Sequence, residues 1–157
     1  MQIEIWSLGK ANEAIMDAAI THYLKKIQPY NPVQLVILNP SKKATTLPPD
    51  QMMKAEEEMI LKKLQDHHYL ILLDERGKML SSPEWAAQFQ ELMNRSTKTL
   101  VILIGGAFGV TEKIRTRANQ VWSLSKLVFP HQLVRLMVVE QVYRSFSILH
   151  NSSYHHA

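Results

Sequence analysis

An α/β fold built on a parallel sheet is predicted by three observations. Short β-rich runs alternate with longer helix-period patterns along the whole 157-residue chain. Two of those runs, residues 69–73 and 99–104, are almost wholly apolar, as strands covered on both faces are. A glycine-rich loop, Gly105-Gly106-Ala107-Phe108-Gly109, directly follows the more apolar of the two, where open parallel sheets receive ligands.

Residues 2–8 alternate apolar and polar side chains and stop at Gly9, which predicts a first strand. Asn12 is placed to cap a helix carrying Ile15, Ala19, Tyr23 and Ile27 on one face, with Pro29 and Pro32 punctuating its end. Residues 33–38 read as the second strand. The polar stretch 39–49, which holds Lys42 and Lys43, reads as a mobile loop before a helix over about 50–65. The strand at 69–73 ends in the polar turn Asp74-Glu75-Arg76-Gly77. Ser82-Pro83-Glu84 offers a cap, a first-turn proline and an acid for a helix reaching about residue 94. After the strand at 99–104, Thr111 and Glu112 open a further helix. Residues 121–123 read as a short last strand, and the final helix runs from His131 to Leu149. No repeat or linker divides the chain, so a single domain over 1–157 is expected.

Composition excludes several classes. At 46% hydrophobic content the chain buries a core without staples, and the absence of cysteine removes disulfides and a thiol nucleophile. The opening residues contain an acid and lack a basic leader, and no apolar run approaches bilayer length. A cytoplasmic protein without a membrane partner is the expectation. A formal charge of +4 and a pI near 9.3 lean toward a polyanion such as RNA.

Four clusters carry candidate chemistry. Gly105 and Gly106 let the backbone approach a ligand, although the same glycines fit a plain strand-to-helix turn; the spacing matches neither a Walker loop nor the dinucleotide fingerprint. The run Leu124, Ser125, Lys126, Leu127, Val128, Phe129 either walls a heteroaromatic ring with its side chains or forms a core strand. His150, Asn151, Tyr154, His155 and His156 make either a frayed tail or a segment that folds over a pocket. With no cysteine or spaced acid beside them, no metal site is expected. Arg135 and Arg144 sit on an apolar helix, paired with Glu140 or presented to phosphates from a dimer face. The eight methionines read as adaptable core filler.

The ordered set of Leu73-Asp74-x-x-Gly77, Ile104-Gly105-Gly106-x-x-Gly109, Trp122-Ser123-Leu124-Ser125, Pro130-His131-x-Leu133-Val134-Arg135, Glu140-Gln141-Val142-Tyr143-Arg144 and Asn151-x-x-Tyr154-His155 resembles the RlmH family. These are SPOUT-class methyltransferases acting on N3 of a pseudouridine in large-subunit ribosomal RNA, and the likeness covers essentially the whole chain.

The resemblance implies a SPOUT-type parallel-sheet fold with a deep C-terminal trefoil knot. It also implies a homodimer, S-adenosyl-L-methionine as cofactor, and ribosomal RNA in the assembled (23S-containing) ribosome as substrate. Cofactor contacts would come from Leu73, Gly105, Leu124, Ser125, Lys126, Leu127, Val128 and Phe129. A methyl sulfonium is already activated, so the enzyme's task would be alignment and removal of the N3 proton, without a metal. His155 and His131 are then the candidate proton acceptors, Arg144 or Arg135 the charge stabilisers, and Tyr154 the stacking or orienting group. The family tail has proline where this chain has Ser153, so a less preorganised tail is expected. Two alternatives are a SPOUT methyltransferase of another RNA such as tRNA, and a non-catalytic ribosome-binding factor.

Overall fold

A computed structural model describes residues 1–155. Its elements are β1 (Gln2–Leu8), α1 (Ala14–Ile27), β2 (Val33–Leu38), α2 (Pro49–Lys63), β3 (His68–Met79), α3 (Ser82–Asn94), β4 (Thr99–Ile104), α4 (Glu112–Arg117), β5 (Gln120–Ser123) and α5 (His131–Leu149). The five strands form one sheet in the order β2-β1-β4-β3-β5, and every pairing is parallel. The α/β alternation of the sequence therefore becomes the expected parallel sheet.

Strand periodicity divides the core into two layers. Ile3, Ile5, Ile71, Leu100, Ile102 and Ile104 face one way, against Ile20 and Ile27 of α1, Trp85 and Phe89 of α3, and Val138, Val142 and Phe146 of α5. Trp6, Leu8, Leu70, Leu72, Val101 and Leu103 face the other way, against Ile60 of α2 and Ile114 of α4. All six residues of β4 are buried, which is why that stretch is continuously apolar.

Several boundaries differ from expectation for local reasons. Strand β3 continues to Met79, because residues 74–77 are an excursion inside it: Trp122 of β5 is in register with Leu73 before the excursion and with Lys78 after it. The cap of α3 is Ser81 rather than Ser82. The Glu84 carboxylate reaches back three residues to accept from the Ser81 backbone N–H at 2.7 Å, closing a capping box. Asn12 does not cap α1; its Oδ1 accepts from Arg135 at 2.8 Å, and Glu13 stands at the cap position. Of the expected apolar face of α1, Ile27 is buried and Tyr23 packs against the core, whereas Ile15 is 78% exposed and Ile20 takes the buried place. The 39–49 loop contains a short 3-10 turn at Ala44–Thr46 with Ala44 buried.

Arg135 is the principal polar feature of the core. It is 1% exposed, and its guanidinium donates to Ser7 Oγ at 2.7 Å, to the Lys10 carbonyl and Asn12 Oδ1 at 2.8 Å each, and to the Leu8 carbonyl at 3.3 Å. Burial lowers its pKa from the ordinary arginine value. These bonds fasten the β1–α1 connection to α5. Gly9 in that connection has φ of +119°, and a Cβ there would meet Arg135 Nη2 at 3.3 Å. Arg135 is thus committed to structure, which corrects its reading as a charge stabiliser and as a partner of Glu140.

Candidate functional site

The carboxyl ends of β4 and β5 and the excursion inside β3 open into a cavity of about 510 Å³, within the range of small-molecule sites. Three segments wall it: Leu73 to Arg76 from the β3 excursion, Ile104 to Gly109 from the glycine loop, and Ser123 to Phe129 after β5, with His131 and Val134 of α5 closing the side. Of the expected cofactor contacts, Leu73, Gly105, Leu124, Ser125, Leu127, Val128 and Phe129 line this cavity. Lys126 belongs to the same loop and is exposed, but is not part of the wall.

Each wall is held by short-range bonds. The glycine loop closes on itself through the Gly109 N–H to the Gly106 carbonyl at 3.0 Å, with Gly109 at φ of +81°. Helix α2 backs it: a Cβ on Gly106 would lie 2.4 Å from a carboxylate oxygen of Glu56, and the Thr111 hydroxyl donates to Glu57. Glu56 is 3% exposed, and burial raises its pKa above the usual carboxylate value. The loop after β5 is shaped by two serines. Ser123 Oγ donates to the Ser125 carbonyl at 3.0 Å, and Ser125 Oγ accepts from the Leu127 N–H at 3.0 Å. This turn leaves Leu127 and Val128 outward, 69% and 85% exposed.

The β3 excursion is pinned by Asp74, whose carboxylate accepts from the Arg76 backbone N–H at 2.9 Å, from Arg76 Nε at 3.2 Å and from Arg115. Burial pushes this carboxyl upward, but the hydrogen bonds from Arg76 and Arg115 outweigh it and leave the pKa below the ordinary aspartate value. Gly77 ends the excursion directly over Trp122: a Cβ there would lie 2.5 Å from the Trp122 carbonyl carbon. Only glycine permits that approach.

The four catalytic candidates divide between two places. His131, in the first turn of α5, lines the cavity, with Nδ1 3.2 Å from the Leu8 carbonyl. A carbonyl only accepts, so this contact puts the ring proton on Nδ1 and leaves Nε2 as the acceptor in the neutral ring. Arg144, Tyr154 and His155 do not line that cavity. They gather around Glu140, which accepts from Arg144 Nη2 at 2.6 Å, Arg144 Nε at 3.0 Å and the Tyr154 hydroxyl at 3.0 Å. Arg144 thus takes the carboxylate partner expected for it, and that bond raises the arginine's pKa. Its guanidinium carbon also stands 4.8 Å from the centre of the Tyr154 ring, and its Nη1 lies 3.5 Å from His155 Nδ1.

Burial, with the bonds to Tyr23 and Glu140, pushes the Tyr154 phenol well above its ordinary value, so it remains a donor. The tail is therefore folded onto α1 and α5 as far as His155; His156 lies outside the described residues. Among the described residues, no group of three or more His, Cys, Asp or Glu side chains is arranged to hold a metal ion, and no helix is long and apolar enough to cross a membrane.

A second cavity of about 540 Å³ runs along α5 between the two places, bordered like the first by Ser123 and Leu124 and reaching Tyr23 and Glu140 of the tail cluster. Sequence reasoning missed Asp74, Arg115, Glu56, Glu57 and Tyr23 as supports. The i, i+4 spacing of Glu140 and Arg144 was the one legible signal among these contacts.

A parallel sheet with a glycine-loop cavity at the carboxyl ends of its strands is the architecture of an α/β ligand-binding domain. The family model described as "Predicted SPOUT methyltransferase" matches residues 1–155, and the chain belongs to that family. Proteins called ribosomal RNA large subunit methyltransferase H are similar along the whole length. That of Flavobacterium johnsoniae is 40% identical over 156 residues, covering 99% of each chain. That of Christiangramia forsetii is 38% identical over 156 residues, again covering 99% of each. That of Geobacter sulfurreducens is 36% identical over 156 residues, covering 99% of this chain and all of its own.

Proposed function

We propose that this chain is an S-adenosyl-L-methionine-dependent methyltransferase of large-subunit ribosomal RNA, and that it methylates N3 of a pseudouridine in the assembled ribosome. The observation that carries the reading is the convergence of the β3 excursion, the glycine loop and the serine-shaped loop on one cavity. It coincides with relatives of the same length that are named for this class of substrate. The lining fits the cofactor: glycine backbone for close approach, Leu, Val and Phe side chains for a ring, and serine hydroxyls for polar edges.

When bound, the cofactor supplies an activated methyl group. The chain's own residues then have three tasks. The loops carrying Leu73, Gly105 and residues 124–129 hold the donor, and Leu127 and Val128 exclude water over it. His131, with Nε2 free to accept, takes the N3 proton of the base. The Arg144 guanidinium only donates, so His155 Nδ1 accepts and its Nε2 carries the proton. His155 is accordingly assigned as a hydrogen-bond donor to the base and Arg144 as the cation that stabilises its anionic form, with Tyr154 orienting both; α5 sets this cluster about 20 Å from the same chain's His131, so it serves the cavity of the second subunit in the dimer.

The protein acts as a cytoplasmic homodimer of single-domain subunits. The apolar lining of the α5 cavity (Leu133, Leu136, Met137 and Leu80), together with exposed Leu127 and Val128, supports the dimer. A knotted C-terminal path is supported by the chain's return from edge strand β5 to the β1–α1 connection that Arg135 and His131 grip.

The test is methyl transfer from labelled cofactor to ribosomes, free large-subunit rRNA and tRNA, all from cells lacking this activity. Label in the ribosomal large subunit supports the reading. Label confined to tRNA replaces the substrate, and the absence of both label and saturable cofactor binding makes the protein a non-catalytic ribosome-binding factor.

A further inference from the structure

The face formed by the last turns of α1, the end of α5 and the tail carries more cations and rings than the cofactor cavity uses. Lys26 Nζ stands 5.3 Å from the centre of the Tyr143 ring and 5.8 Å from each of the Tyr23 and Tyr154 rings. Three rings thus surround one ammonium group, and among the described residues no carboxylate forms an ion pair with it. Glu140, on the same face, is already bonded to Arg144 and Tyr154. The Tyr154 ring therefore has cations at it from two residues, Lys26 and Arg144.

The patch continues outward. His22 packs edge-on against Tyr23 at 5.5 Å, Tyr30 lies 4.7 Å from His150, and Lys25 is exposed beside Lys26. Lys25 and Lys26 stand in the last turn of α1, where the helix dipole favours cations. That explains the charge but not the ring cage. Aromatic contacts fix a lysine stem that otherwise loses much conformational freedom when it binds something. A preorganised, unpaired ammonium held by three half-buried rings, with Tyr30, His22 and His150 exposed farther out, is the chemistry that receives a phosphodiester beside unstacked bases.

We infer that Lys26, held by Tyr23, Tyr143 and Tyr154, is a phosphate contact for the RNA strand beside the target base, and that this face is where the RNA backbone docks. The inference rests on the proposed RNA substrate and adds where that substrate is held.

The experiment compares wild type, Lys26→Met, Lys26→Gln and Lys26→Arg for affinity to large ribosomal subunits across a salt series, with cofactor affinity as the check on folding. Met keeps the stem against the rings, Arg keeps the charge, and Gln serves if the Met variant does not fold. One lost phosphate contact reduces the log affinity against log salt slope by about 0.7–0.9 and weakens binding about sixfold at 0.1 M salt. The expectation is that change in Met or Gln, rescue in Arg, and unaltered cofactor affinity throughout.

An unchanged slope and affinity would overturn the inference, and so would a shift in sedimentation showing that Lys26 holds two protein chains together. If ribosome binding depends on Lys26 but no methyl group is transferred, the docking face stands and the proposed reaction falls. If methyl transfer proceeds with affinity independent of Lys26, the reaction stands and the docking face falls. No binding to ribosomes at all removes both.

Discussion

Replacing Arg135 with alanine is the perturbation whose cost is most directly worked from the structure. The side chain is 1% exposed, and four of its contacts are hydrogen bonds to Ser7, Leu8, Lys10 and Asn12. Hydrogen bonds to a charged donor are worth about 1.5–3 kcal/mol each, and removing one partner strands the acceptors left behind. Part of that loss is recovered because the guanidinium no longer has to be buried, so the net cost resembles that of breaking a buried pair, about 3–5 kcal/mol. For a chain of this size each kcal/mol moves the melting temperature about 2–4 °C, which predicts a fall of about 8–16 °C at a midpoint of 4 kcal/mol.

The Leu8 carbonyl is shared between Arg135 and His131, so Arg135→Ala also loosens the cavity wall that His131 forms. Cofactor affinity should therefore fall with stability, whereas a direct role in stabilising substrate charge would lower the rate in a fully stable protein. Urea unfolding at fixed protein concentration, with calorimetric titration of the cofactor, measures both. A stability loss under 1 kcal/mol would refute the structural assignment.

Three further outcomes are expected. Gly77→Ala drives a Cβ to within 2.5 Å of the Trp122 backbone, so β5 must move; a cost of about 1–3 kcal/mol and weaker cofactor binding are expected in the same unfolding and titration measurements. Glu56 has a pKa raised by burial, so the folded state holds its proton more tightly than the unfolded chain does. Its ionisation therefore erodes stability as pH rises from the unfolded glutamate pKa through the higher folded one, and the urea midpoint of wild type should fall relative to Glu56→Gln across that interval. His155→Ala and Arg144→Ala, if still folded and cofactor-bound, should each slow single-turnover methyl transfer about a hundredfold, the scale of one lost electrostatic or proton-handling group; full rates in both would remove the tail cluster from the chemistry.

The strands were legible because burial on both faces leaves a continuous apolar run in β4 and a shorter one in β3. The same pattern hid the second half of β3. Residues 74–77 carry the polar and glycine signature of a turn, and nothing local indicates that the chain rejoins the strand at Lys78.

The serine cap moved by one residue because the capping box is fixed by the reach of Glu84, not by the neighbouring proline. Ile15 was placed on the wrong face because a helix stripe is drawn from apolar residues, while packing is decided by where α5 lies.

The loops that line the cavity were legible through glycine and the unusual run 124–129. The supports behind them were not. Glu56 and Glu57 look like any charged pair on an amphipathic helix, and Asp74 finds Arg115 41 residues away in sequence. Arg135 read as a paired or interface charge because two of its four acceptors are backbone carbonyls, which leave no trace in side-chain identity, and the other two, Ser7 and Asn12, lie more than 120 residues away in sequence.

The decisive measurement is nucleoside mass spectrometry of large-subunit rRNA from unmodified ribosomes incubated with this protein and labelled S-adenosyl-L-methionine. Labelled N3-methylpseudouridine at a single position is the expected result. Label on any other nucleoside, or none from a protein that binds the cofactor, would contradict it.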